Sequence, residues 1–281
     1  MKLIIVYKLI LLFFIALLIS SCSTSNKIDN RHVTIQNVNY LISKSEFYIK
    51  RNNYKSALPY LHQAYENSVI IDDNLTTCKI AFSITKAYYI LNIDSLFDIW
   101  NIKYRALCRT DKKLFETNNF LFNIDTLYYK HEYDKLAKID FSDQTSQTLS
   151  EDYIIALSKI TYAGFLIKKP NFDYLNFLQN IGVNNSVFSN ETKAYICFII
   201  SEIFVYENKF NEAVLYLKTG LDLARVSEYY ILAAKLSESI GNLYFNLNNL
   251  EYLKYYAISS DFYLLCNDNN KANELLLKCK Q

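Results

Sequence analysis

The sequence predicts an all-α fold, an α-solenoid of about six helix pairs closed by a C-terminal helix. Three observations carry that expectation. The first is a shortage of turn residues: 281 residues contain only 4 Gly and 2 Pro, against an average of about 12% for the two together. Sandwiches, barrels and doubly wound sheets need many tight or positive-φ turns, and those turns want Gly or Pro. The second is the 51% of apolar residues, too many for a disordered chain or a linker. The third is a pattern of apolar positions that recurs every 39–40 residues, and a period of that length signals a repeat array.

The chain opens on a leader. Lys2 and Lys8 give a short positive region, and Leu9 to Ile19 is an unbroken apolar run of 11 residues. Such a run is too short to cross about 30 Å of hydrocarbon as a helix, but it suits the core of a signal peptide. Ile19-Ser20-Ser21-Cys22 follows. These four residues resemble the bacterial lipobox. The resemblance implies that residues 1–21 are removed, that the Cys22 thiol carries diacylglycerol and that its freed amine is acylated. Several acyl chains anchor stably, because each buried CH₂ contributes about 0.8 kcal/mol and one chain alone is marginal. An ordinary signal peptide and an uncleaved anchor helix are the alternatives. Ser23 after the cysteine, and the lack of an acidic cluster in Thr24-Ser25-Asn26-Lys27, imply an outer-membrane anchor facing the periplasm. Removal of the two leader lysines leaves 28 basic against 28 acidic residues. A neutral chain without an Arg-rich stretch excludes nucleic acid as a partner, because that affinity comes from neutralising phosphates. Residues 22–35 read as a polar tether.

The repeats come next. Asn52-Asn53-Tyr54-Lys55-Ser56-Ala57 and Asn208-Lys209-Phe210-Asn211-Glu212-Ala213 share one pattern: a polar turn, an aromatic, then Ala three residues on. Stepping by about 39 from these alanines gives the anchors Ala57, Leu96, Leu136, Leu175, Ala213 and Leu253. Three residues before them stand Tyr54, Ile93, Tyr133, Phe172, Phe210 and Leu250. Three after stand Tyr60, Ile99, Ile139, Leu178, Tyr216 and Tyr256. Nine before stand Tyr48, Ala87, Leu127, Leu166, Phe204 and Tyr244. All are apolar or aromatic. Each unit therefore reads as a helix, a short polar turn and a second helix, with the anchor and its +3 neighbour on one face. One pair cannot bury both faces, so neighbours stack.

The units resemble tetratricopeptide repeats. Ser45, Tyr48, Asn53, Tyr54, Ala57, Leu61 and Ala64 fit that family in the first unit, and Ile240, Gly241, Tyr244 and Asn249 in the last. The period exceeds the family's usual 34 residues and resembles its longer-helix variants. The resemblance covers about residues 36–266. It implies a right-handed α-solenoid of about six TPR-like helix pairs, with residues 267–281 as a capping helix and a concave face lined by the first helix of each pair.

Local signals agree. Ser150-Glu151-Asp152, Asn190-Glu191 and Thr110-Asp111 read as helix starts, with a capping side chain and acidic residues against the helix dipole. Pro170 follows the end of a helix at Lys168-Lys169, and Pro59 is expected in a first helical turn. Asn at 52–53, 92, 171 and 248–249 is expected to do the turn work that Gly does elsewhere. Gly241 falls where close helix packing wants no side chain.

No catalytic constellation stands out. His32, His62 and His131 have no metal-ligand spacing, and neither a Gly-rich phosphate loop nor a nucleophile elbow is present. No cofactor, metal or enzymatic activity is expected. Besides Cys22 there are Cys78, Cys108, Cys197, Cys266 and Cys279, with no CxxC pair. They read as buried small hydrophobes, with Cys266–Cys279 as a candidate bridge to the cap. The pairs Tyr88-Tyr89, Tyr128-Tyr129, Tyr229-Tyr230 and Tyr255-Tyr256 cannot both face one core, so one ring of each is expected at a surface, as an ordinary amphipathic residue or in inter-repeat packing, with a recognition role as the alternative. On the face implied by the repeat resemblance, unit five presents Tyr195, Phe198, Glu202 and Tyr206, and unit six presents Lys235, Glu238, Asn242 and Phe245. Glu202 and aromatics stand where a carboxylate clamp would need Lys and Asn, so the groove suits an extended peptide or a partner helix. The expected function is a lipid-anchored scaffold that binds another envelope protein. Its alternative is a peptide- or glycan-binding sensor using the same groove.

Overall fold

A computed structural model describes residues 31–140, 150–182 and 186–280. The leader, Cys22 and the start of the tether lie outside the described residues. Every regular element among the described residues is helical. They are α1 (31–49), α2 (Tyr54–Ile70), α3 (Asn74–Ile90), α4 (Asp94–Leu107), α5 (Lys112–Tyr129), α6 (Tyr133–Leu136), α7 (Glu151–Leu166), α8 (Phe172–Phe177), α9 (Asn190–Tyr206), α10 (Phe210–Val226), α11 (Tyr230–Asn246), α12 (Glu251–Leu265) and α13 (Asn269–Lys278). The odd-numbered helices from α3 onward begin 38–40 residues apart, so the period read from the sequence is the period of the fold. Six helix pairs and a capping helix result. Residues 31–35, within the stretch read as tether, are helical.

Contacts divide the chain into two compact units. The first holds α1 up to Phe47 and α2–α4; the second holds Tyr48–Asn53 and everything from Asp111 onward. In the first unit α3 lies between α2 and α4, burying Ile80, Ala81, Ile84 and Ala87. Cys78 on α3 and Cys108, in the 3₁₀ turn after α4, form a disulfide with Cα atoms 5.5 Å apart. Cys266 and Cys279 are not bonded to each other; both are free thiols. His62 packs rather than ligates, bonding the Tyr88 hydroxyl at 2.8 Å with its ring edge-on to Trp100.

In the second unit α7, α9 and α11 carry the largest buried stripes. Glu151 at the start of α7 accepts from the Ser189 hydroxyl (2.7 Å) and the Thr192 hydroxyl (2.6 Å) at the start of α9. Burial works against its charge, but those hydrogen bonds outweigh it and hold the carboxyl below its ordinary range. A Cβ on Gly241 would sit 2.5 Å from the Tyr256 ring, which is the close packing expected there. Tyr255 and Tyr256 are both buried because they enter different clusters, one in the main core and one under α13.

Four local expectations change. Ile93, Leu96, Ile99, Phe172 and Leu250 are exposed. On α4 the buried stripe runs through Trp100 and Tyr104 instead, since Trp100 packs on His62 and Tyr65 of α2 and Tyr104 on Phe82 of α3. Pro59 sits in the second turn of α2, not the first. Ser189 rather than Asn190 caps α9, and Asn171 caps α8 rather than turning the chain. The second helices α6 and α8 are short, four and six residues, and a π-type turn, Leu178–Gly182, follows α8.

Nine helix ends share one geometry. Asn52, Asp72, Asn92, His131, Lys168, Asn208, Glu228, Asn248 and Asn267 have φ between 54° and 60°. The N–H of the next residue closes back onto the preceding turn at 2.8–3.1 Å, as in Lys169 N–H to Gly164 O and Asn249 N–H to Tyr244 O. This is the Schellman closure, which usually takes Gly at the left-handed position. A side chain there costs roughly 1–2 kcal/mol, less for Asn. Lys168→Gly should therefore stabilise the chain by about 0.5–1 kcal/mol after the added backbone entropy of Gly. Urea unfolding of the two forms measures it, and an unchanged or lower midpoint contradicts the strain argument.

Candidate recognition face on the first helices

α9 sets Tyr195, Phe198, Glu202 and Tyr206 on one face by steps of three and four, and α11 does the same for Lys235, Glu238, Asn242 and Phe245. The eight differ in what holds them. Tyr195 and Phe198 are half-buried against the main core. Tyr206 and Phe245 are 43% and 49% exposed, and Phe245 rests edge-on against Tyr252. Glu238 is already engaged, accepting from the Tyr263 hydroxyl at 2.9 Å and pairing with Lys271 of α13 at 2.9 Å. Asn242 accepts from the Tyr256 hydroxyl at 2.8 Å. These two residues thus fasten α12 and α13 to α11.

Glu202 and Lys235 are different. Glu202 accepts a long bond (3.4 Å) from the Ser239 hydroxyl. Burial raises its pKa above the ordinary carboxylate value, and Ser239 opposes that only in part. Lys235 is solvent-accessible yet crowded by protein atoms. Burial lowers its pKa, with Glu238 acting in the other direction. The charged form of Glu202 is therefore held at a cost.

Deeper on the same side lies a cluster that the sequence reading passed over. Lys159 of α7 is buried and pairs with Asp125 of α5. Its ammonium stands 5.6, 5.9 and 5.7 Å from the ring centres of Tyr128, Tyr129 and Tyr195. Burial pushes the Tyr128 and Tyr195 hydroxyls well above the usual tyrosine range. Tyr162 and Tyr229 are pushed up to about 12, again by burial first. One signal was present: Lys159 is the single charged residue between Asp152 and Lys168, and a charge in so apolar a helix points to a buried partner. Asp125 lies 34 residues earlier, a separation that only the helix stacking closes.

Among the described residues no group of three His, Cys, Asp or Glu could hold a metal ion, and no helix is long and apolar enough to cross a membrane. No protein-family model and no curated protein matches this chain.

Two outcomes follow. Lys159→Met should destabilise the chain by about 3–5 kcal/mol, because it strands a buried carboxylate. Adding Asp125→Asn should recover most of that loss, and thermal melts of the single and double variants measure it. The second concerns pH. A carboxyl raised in the folded state holds its proton longer there, so its contribution falls as pH rises from the unfolded pKa toward the folded one. Glu202→Gln should therefore raise the melting temperature at pH 7 and change it less at pH 4. An equal shift at both pH values contradicts the burial argument.

Proposed function

We propose that this protein is a lipid-anchored scaffold of the bacterial cell envelope, built of tetratricopeptide-like repeats. Its first-helix face holds an extended peptide or a helix of another envelope protein. The observation that carries this reading is the exposure of Tyr206 and Phe245, 43% and 49%, on the two first helices that also carry Glu202 and Lys235. Half-exposed aromatic rings supply contact area with little loss of rotamer entropy, and a carboxylate held at a cost gains from a partner that pairs with it. Glu238 and Asn242 belong to the fastening of the cap and Tyr195 to the buried Lys159 cluster, so the binding role narrows to the other five residues. The lipobox-like Ile19-Ser20-Ser21-Cys22 supports the anchor. The Cys78–Cys108 disulfide fits an oxidising compartment such as the periplasm.

A photo-crosslinking residue at Tyr206 or Phe245 should capture the same envelope protein. One at Leu215, 65% exposed on a second helix, should not. Phe198→Ala/Tyr206→Ala/Phe245→Ala should cut recovery of that protein about tenfold or more, the effect of losing ~1.4 kcal/mol or more. Unchanged recovery removes the face from consideration. Palmitate incorporation that survives in Cys22→Ala removes the anchor.

A further inference from the structure

α4 carries an apolar line on the side turned away from α3. α4 buries Trp100 against His62 and Tyr65 of α2 and Tyr104 against Phe82 of α3, and its opposite side carries Ile99 and Ile102, 48% and 70% exposed. Ser95 and Ala106 continue the same line, both exposed. The spacing Ser95, Ile99, Ile102, Ala106 is four, three, four, which is the a/d seam of a two-helix coiled coil. The outer residues of the seam are small, so two backbones can approach closely at its ends.

We propose that α4 is a homodimer interface on which the α4 of a second copy lies antiparallel. The choice of partner rests on self-complementarity. With Ile99 and Ile102 at the core, Asp98 and Arg105 flank the seam on one side, both exposed. Antiparallel pairing about a two-fold axis sets Ile99 against Ile102 of the second copy and Ser95 against Ala106. It also sets Asp98 beside Arg105 of the second copy, twice by symmetry, as an isologous interface requires. The acidic end of α4 meets the basic end of its twin, and the two helix dipoles oppose. A parallel pair would leave Arg105 without that partner. Because α3 already holds α4 helical, docking does not bear the cost of forming the helix. One helix pair lies below the size of a standard stable interface, so the association is weak and reversible. It is independent of the lipid anchor and of the first-helix face.

Sedimentation of the full chain in density-matched detergent, across a concentration series, tests the proposal. The wild type should show a monomer–dimer equilibrium. Ile102→Asp, at a site too exposed to threaten folding, should weaken it about tenfold or more, with an unchanged thermal melt. Asp98→Arg and Arg105→Asp should each weaken it, and Asp98→Arg/Arg105→Asp should restore it. A wild type that stays monomeric overturns the interface, as does a dimer indifferent to Ile102→Asp. Failure of the charge swap to restore association overturns the antiparallel pairing.

Discussion

Every described helix pair turns on one residue held at positive φ, and the stacking of the repeats depends on that turn. The left-handed residue reverses the chain within two or three positions, and the backbone closes its own last carbonyls as it does so. A longer loop would let the two helices of a pair choose their crossing; this turn fixes it. Five of the nine positions are Asn, the residue whose short polar side chain best tolerates that conformation after Gly. The shortage of Gly is therefore not a shortage of turns. The chain makes the same turn repeatedly with residues that are more costly there, and stacking of the helices on either side overrides the local strain.

Within the second unit the repeats are joined by polar contacts as well as by apolar stripes. Glu151 binds the start of α9 from the start of α7, Asp125 reaches Lys159, and Glu238 and Asn242 hold α12 and α13. Each of these joins one repeat to a neighbouring helix, so the register of the stack is specified by bonds that tolerate no slip. Apolar packing alone would specify it less sharply, because Ile, Leu and Tyr recur at equivalent positions in every unit.

The same economy explains why the first-helix face divides into two kinds of residue. Polar groups that are paired across repeats rigidify the stack and are lost to recognition. Glu202 has only the long Ser239 bond to set against its burial, and its charge is penalised by the protein around it. A stack stabilised elsewhere can carry that penalty. The seam on α4 follows from a similar local choice: Trp100 and Tyr104 claim the side facing α2 and α3, and the aliphatic residues expected to be core face outward.

The sequence by itself determined the class of fold, the period and the order of helices. These depend on turn chemistry and on apolar spacing, which are properties of the chain taken a few residues at a time. It also placed Gly241, because a missing side chain in an otherwise bulky stripe has one meaning. Which way α4 is rotated was decided only in three dimensions, since Leu96–Ile99 and Trp100–Tyr104 are both acceptable apolar stripes and the larger rings filled the space beside α2 and α3. Which of the eight face residues are bound up in holding the cap was likewise a matter of distance to α12 and α13. The pairing of Lys159 with Asp125, or of Cys78 with Cys108, spans 34 and 30 residues. No local rule reaches that far; the stacking of one helix on the next brings them together.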